Sequence, residues 1–321
     1  MIYFEVFIIA LIALFALNCL YKRTNAYRNQ FVDIDKFKKV SGIEDHSLDI
    51  VVLGSNAPKF AFDFSEIKEC VGMNWAIGPE TFEYDFIVLK KFACKLKHDA
   101  IVVWPVCPGN FFLDKYKSKF AFVKYYGFLH RGEFPDYNKW HYITEYMFPL
   151  VFHPKRVKRL LKDTKSDNRL DFDFNPMDIK EIEKDASWWI HCCWNPEFNI
   201  NIENMAPLSD ANKKAVKYNI SVLKETIKFC EQNNLHIIFV YLPLTKQLGG
   251  YFSFDYVERQ MTQYVKKAIG DNNITLVDYM RDERFQDTAY YINSFFMNRI
   301  GARKFTKIFI EENVNKVRKN D

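Results

Sequence analysis

The sequence predicts an α/β fold: a three-layer α/β/α domain around a parallel sheet, with an inserted aromatic-rich segment and one N-terminal transmembrane helix. Three observations predict it. Short runs of buried-strand character alternate with amphipathic segments at helical spacing, the rhythm of a parallel sheet covered on both faces. The N-terminus is almost wholly apolar, and a stretch from about residue 108 to 205 interrupts the alternation.

Residues 2–21, IYFEVFIIALIALFALNCLY, are broken only by Glu5, Asn18 and Cys19, and Lys22 and Arg23 close them. Twenty helical residues rise about 30 Å, the thickness of the hydrocarbon core. A cleaved signal peptide would carry a basic n-region and a small-x-small cleavage site. Neither is present, and Ala-Leu-Asn before Cys19 is a poor lipoprotein box. A single anchor over residues 1–21 is expected, followed by a polar, partly helical connector over 22–47. The remainder, 48–321, is one domain with its insertion at about 108–205.

DIVVL (49–53) is the first strand and VGMNWAI (71–77) a shorter second. FEYDFIVLKKFACKLK (82–97) carries Phe82, Phe86, Leu89, Ala93 and Leu96 at helical spacing, and AIVVWPV (100–106) is again a buried strand. Ser209 or Asp210 caps a long helix with Ile220, Leu223, Ile227 and Cys230 on one face. HIIFVYLP (236–243) is the most strand-like run. A helix over 254–269, a short strand ITLVD (274–278) and a helix from about Ile300 complete the domain.

Composition narrows the function. A net charge of +5 is too small to argue for nucleic acid. The seven cysteines (Cys19, Cys70, Cys94, Cys107, Cys192, Cys193, Cys230) are scattered without CxxC spacing, which reads as reduced, mostly buried thiols rather than a disulfide framework. No second ligand pair accompanies His191, Cys192 and Cys193, so no metal or cofactor is expected. Within the insertion, HPKRVKRLLK (153–162) sets five basic residues around Val157, Leu160 and Leu161. It reads either as a solvated helix face or as a contact for an anionic glycan or lipid headgroup. SWWIHCCW (187–194) reads as a buried aromatic cap over the sheet edge or cleft.

The point of chemical interest is VVLGSN (51–56). In an open parallel sheet, ligands bind beyond the C-terminal ends of the strands, at the point where the strand order reverses. Ser55 follows the first strand directly, and Gly54 permits a tight turn there. Position alone leaves two readings: a nucleophile, or the cap of the next segment. Dinucleotide binding is discounted because no GxGxxG follows the strand.

LGSN followed by FAFDF, then NWAIGPETFEYDFIVLKKF, then DERFQDTAYYINSFFMNRIGARKFT, resembles the SGNH/GDSL hydrolase superfamily. The nearest branch is the membrane-anchored proteins of bacterial surface-polysaccharide and teichoic-acid loci, including D-alanine-transfer-like proteins. The likeness covers roughly residues 48–107 and 205–315. It implies a flavodoxin-like sheet, Ser55 as nucleophile, and an oxyanion hole lined by Gly54 and Ser55 backbone, Asn74, Gly78 and, more loosely, Asn110 of Pro108-Gly109-Asn110. It implies as partners a cell-surface polysaccharide or its acyl donor and other membrane proteins of that pathway.

The last block departs from the pattern. Counting back from Asn298 and Gly301, the family's histidine position holds Phe296 and its aspartate position holds Asn293. Residues 288–305 contain no histidine at all. The histidine takes the serine proton and returns it to the leaving group, which a phenyl ring cannot do. Loss of the base in such a unit costs on the order of 10⁶ in rate. Replacement bases would be Asp278, Asp282 or Asp287, or His130, His141, His153 or His191 from the insertion. The sequence therefore favours a degenerate member that binds or scaffolds, against an active O-acyltransferase or esterase with a non-standard base. The resemblance implies an extracytoplasmic domain, whereas Lys22, Arg23 and Arg28 after the anchor favour the cytoplasm.

Overall fold

A computed structural model describes residues 2–24, 27–28, 32–113, 115, 119–158 and 177–314. The chain forms two compact units: Met1–Gly42 with Lys117–Asp171, and Ile43–Tyr116 with Phe172–Asp321. The stretch read from the sequence as one insertion is therefore divided between them.

In the first unit, α1 (Ile2–Arg23) is one continuous helix, long and apolar enough to cross a membrane, a test that a signal sequence also passes. Helix α2 (Val32–Ser41) supplies the helical part of the connector. Residues 119–158 make only short helical turns around a cluster of rings. Phe37 stacks on Phe128 at 4.2 Å, and Tyr126 meets Phe134, Tyr137 and Tyr142 at 4.9, 5.6 and 5.4 Å. Ring packing of this kind needs no repeat in the chain, which is why no hydrophobic period is visible here. Arg159 to Lys162 of the basic run lie outside the described residues.

The second unit is α/β. In chain order it contains β1 (Leu48–Val52), α3 (Asn56–Ala61), β2 (Gly72–Asn74), α4 (Phe82–Phe92), β3 (Leu96–Pro105), α5 (Ile179–Trp188), α6 (Asp210–Gln232), β4 (His236–Tyr241), α7 (Gln263–Ile269), β5 (Thr275–Asp278) and α8 (Arg299–Phe309). The strands form one wholly parallel sheet in the order β2-β1-β3-β4-β5. Central strands of such a sheet are covered on both faces, which explains their continuous apolar runs. Ile50, Val51, Val52, Val102, Val103, Phe239 and Val240 are all buried. Helix α6 packs on α4 and α7, and α8 on α3.

Two local expectations change. The helix expected over 82–97 ends at Phe92 and, after one tight turn, β3 begins at Leu96. The chain leading into β1 captures the carbonyls that would continue the helix: His46 N–H donates to Cys94 and Ser47 N–H to Lys95. The helix over 254–269 is continuous but contains a π turn, Glu258–Thr262. Ser209 does cap α6, its Oγ accepting from Asn212 N–H at 3.1 Å.

Candidate functional site

The strand order reverses between β1 and β3, so the loops leaving those two strands flank the place where such sheets bind ligands. Gly54 and Ser55 leave β1, and Cys107 to Asn110 leave β3. Gly54 has φ +108°, and an added Cβ would lie 2.7 Å from Pro58 Cγ, so both its backbone and its surroundings require glycine. Its carbonyl accepts from Ile77 N–H at 2.8 Å, and its own N–H donates to the buried Asp85 carboxylate at 2.5 Å.

Ser55 is half-buried and stands at the N-cap of α3, but its side chain caps nothing. Instead its Oγ accepts from Glu80 N–H at 3.1 Å. Among the described residues, no histidine or carboxylate hydrogen-bonds to this hydroxyl. Glu80 and Asp85 are both 2% exposed; the Asp85 carboxylate meets the turn at Gly54 N–H, whereas Glu80 meets it through its backbone N–H. Burial pushes the Cys107 thiol up to about 12, and the Asp85 charge adds to the shift.

The other residues of the expected oxyanion hole have structural duties. Asn74 Nδ2 donates to the carbonyls of Pro58, Lys59 and Phe62 at 2.9, 3.3 and 3.0 Å, closing the end of α3. Its Oδ1 accepts from Ala76 N–H at 3.0 Å. Gly78 admits the Asn56 side chain, since a Cβ there would lie 1.7 Å from Asn56 Oδ1. Asn110 Oδ1 accepts from Cys107 N–H at 2.5 Å and shapes the turn after β3. Its Nδ2 has no acceptor among the described residues.

Phe296 packs against α3. Its ring is 4.9 Å from Phe60 and 5.7 Å from Trp189, on the π turn Trp189–Trp194 that continues α5. Phe295 and Trp194 extend the cluster, with ring centroids 5.0 Å apart. The aromatic cap expected over 187–194 is thus present in part: Trp194 is buried, but Trp188 is 50% exposed and Cys192 is exposed. The Trp189 indole N–H is buried without an acceptor among the described residues. Asn293 Oδ1 accepts from the N–H groups of Phe295 and Phe296 at 3.0 and 2.7 Å, an Asx turn that fixes the loop.

The spacing used to align this block has a structural reason of its own. Asn298 caps α8 through Gly301 N–H, and Gly301 lets Tyr290 O approach to where a Cβ would stand, 2.3 Å away. Five of the seven alternative bases meet other partners. Asp278 and Asp287 accept from backbone N–H groups two residues on, Asp282 pairs with Arg284, His153 with Glu145, and His191 faces Glu203 at 3.7 Å.

Some members of this neighbourhood have no mark in the sequence. Asp185 Oδ2 accepts from both the N–H and the Oγ of the fully buried Ser294, at 3.0 and 2.5 Å, tying α5 to the 290s loop across 109 residues. Thr245 Oγ1 donates to Ser294 O at 2.8 Å and joins the loop after β4 to the same point. Glu80 and Asp85 are visible in the sequence as acidic residues, but Glu83 stands between them and nothing there marks which are buried. No protein-family model matches this chain, and no curated protein does.

Proposed function

We propose that the chain is a membrane-anchored, degenerate SGNH-hydrolase-like protein that binds or scaffolds a cell-surface polysaccharide with weak or no catalysis. In this reading α1 is the anchor, and the parallel sheet in flavodoxin-like order is the middle layer of three. The observation that carries the reading is the pairing around Ser55. Its Oγ meets only a backbone N–H, while Phe296 and Asn293 occupy the positions of base and acid in the family block. The polar groups left over suit hydroxyl-rich ligands: the Ser55 O–H and Asn110 Nδ2. Trp188, beside Trp189 at 5.3 Å, adds an exposed ring face.

A second reading, an O-acyltransferase or esterase, is favoured by the buried Asp85 carboxylate bonded to Gly54 N–H. Ser55 Oγ would attack the acyl carbonyl, its proton passing to a carboxylate and then to the leaving alkoxide. A fluorophosphonate probe separates the two. Stoichiometric labelling that disappears in Ser55→Ala overturns the binding reading. No labelling, together with weaker retention of Ser55→Ala on isolated cell-wall polysaccharide, supports it.

A further inference from the structure

Asn18 is the polar residue in the apolar run of α1, and it is only 1% exposed. Its Nδ2 donates to Met147 O at 3.1 Å and its Oδ1 accepts from Leu150 N–H at 3.1 Å. An amide within a lipid-facing helix must find its partners in protein, and this one finds both in a single backbone turn. One helical turn earlier, Phe15 meets Phe148 at 6.4 Å, and one turn later Lys22 lies 5.0 Å over the Tyr146 ring. The segment Tyr146–Leu150 therefore runs alongside the C-terminal third of α1.

The rise of a helix sets the depth of that contact. Asn18 is about 6 Å and Phe15 about 10.5 Å along the axis from Lys22, where charge resumes. The headgroup layer on each side of a bilayer is about 5–8 Å thick. Leu20 and Leu17 of the same helix remain 52% and 41% exposed, so lipid is the natural neighbour on the undocked side. A segment held at the level of Asn18 cannot stand clear of the membrane.

That segment continues into an exposed apolar edge. Trp140 is 62% exposed and packs edge-on against Phe152, 40% exposed, at 5.3 Å, and Val157 is 39% exposed. Lys139, Lys155 and Lys158 are exposed beside them, with no ion-pair partner among the described residues. Tryptophan with flanking lysines is the composition of a membrane interface. We infer that the Trp140–Phe152–Val157 edge is a membrane foot, seated in the headgroup layer around the end of α1 and holding anionic lipid headgroups through Lys139, Lys155 and Lys158. The inference rests on α1 being a membrane span.

The test uses the full chain in vesicles, with tryptophan emission quenched by lipids brominated high on the acyl chain. A quenched component present in the wild type and lost in Trp140→Phe is expected, larger in phosphatidylglycerol than in phosphatidylcholine. That difference should vanish in the triple variant Lys139→Gln/Lys155→Gln/Lys158→Gln. Trp140 is exposed, so its replacement leaves the fold intact. Phe7→Trp, placed in the Trp140→Phe background, reports the anchor itself through deeply brominated lipids. Quenching at residue 7 without any at residue 140 overturns the foot and leaves the anchor standing. Quenching at neither overturns both. Equal Trp140 quenching in the two lipids overturns the headgroup role of the lysines.

Discussion

Asn74→Ala discriminates most sharply between a group serving a ligand and a group serving the fold. The Asn74 amide offers two hydrogens to three carbonyls, those of Pro58, Lys59 and Phe62, and one oxygen to Ala76 N–H. Counting two shared donor bonds and one acceptor bond, at a net value of about 1 kcal/mol each, truncation costs about 3 kcal/mol. With a urea slope of about 3 kcal/mol per M, the unfolding midpoint falls by about 1 M. The measurement is equilibrium unfolding of the full chain in detergent, followed by tryptophan emission. Asn74→Asp keeps the acceptor but turns a second oxygen toward three carbonyls, so it should lose at least as much. An Asn74→Ala protein within about 0.5 kcal/mol of wild type would refute the reasoning. The amide would then be free to serve as the oxyanion donor that the family resemblance implies.

Gly78→Ala should destabilise by about 1–3 kcal/mol in the same assay, because its Cβ displaces Asn56 at the head of α3. Asn56→Ala should restore most of that loss by vacating the space. In the folded protein at pH 8, maleimide should modify the exposed Cys94 and Cys192 quickly. Cys230, buried and pushed up to about 12, should react only after unfolding, as mass spectrometry of tryptic peptides would report. On intact cells, an impermeant maleimide reaching Cys94 and Cys192 places the second unit outside, and protection until permeabilisation places it inside. For Asp63, burial alone would raise the pKa, but hydrogen bonds from Ser65 and from Arg303 outweigh it and hold the carboxyl below its usual range. A carboxylate depressed in the folded state stabilises above its unfolded pKa near 4 and loses that contribution as pH falls through the folded value. Thermal midpoints measured from pH 6 down to 2 should therefore fall less steeply in Arg303→Met than in wild type.

The strands and their order of appearance were legible because a parallel sheet writes itself as continuous apolar runs, and β1, β3 and β4 each show one. The end of α4 was not. Leu96 continues the helical spacing of Phe82 and Phe86, and only the distant claims of His46 and Ser47 on the Cys94 and Lys95 carbonyls explain the break. The residue types at the turn were also visible, but not their tasks. Glycine at 78 and asparagine at 74 can equally line an oxyanion hole or relieve a crowded helix end, and the choice depends on where Asn56 and the α3 carbonyls fall in space. Asp185 and Ser294 show the limit most plainly: neither is unusual in its own segment, and their bond spans a sequence separation of 109 residues.

These assignments bear on what Ser55 can still do. A hydroxyl has one hydrogen and two lone pairs, and one lone pair already faces Glu80 N–H. The turn around it is held at Gly54 by Ile77 and Asp85 and at Asn56 by the room that Gly78 leaves, so the Oγ cannot readily swing to a new partner. A nucleophile needs a base at the hydrogen; a binding group needs only an acceptor there, which a ligand oxygen can provide. Phe296, packed between Phe60 and Trp189, sets an apolar ring against α3, and the family resemblance would have a proton acceptor at that position. A fixed hydroxyl donor without a base is a poor device for acyl transfer and a workable one for meeting a ligand oxygen. The wiring of the turn would serve either role, and binding is therefore favoured through the resemblance that makes position 296 a base position.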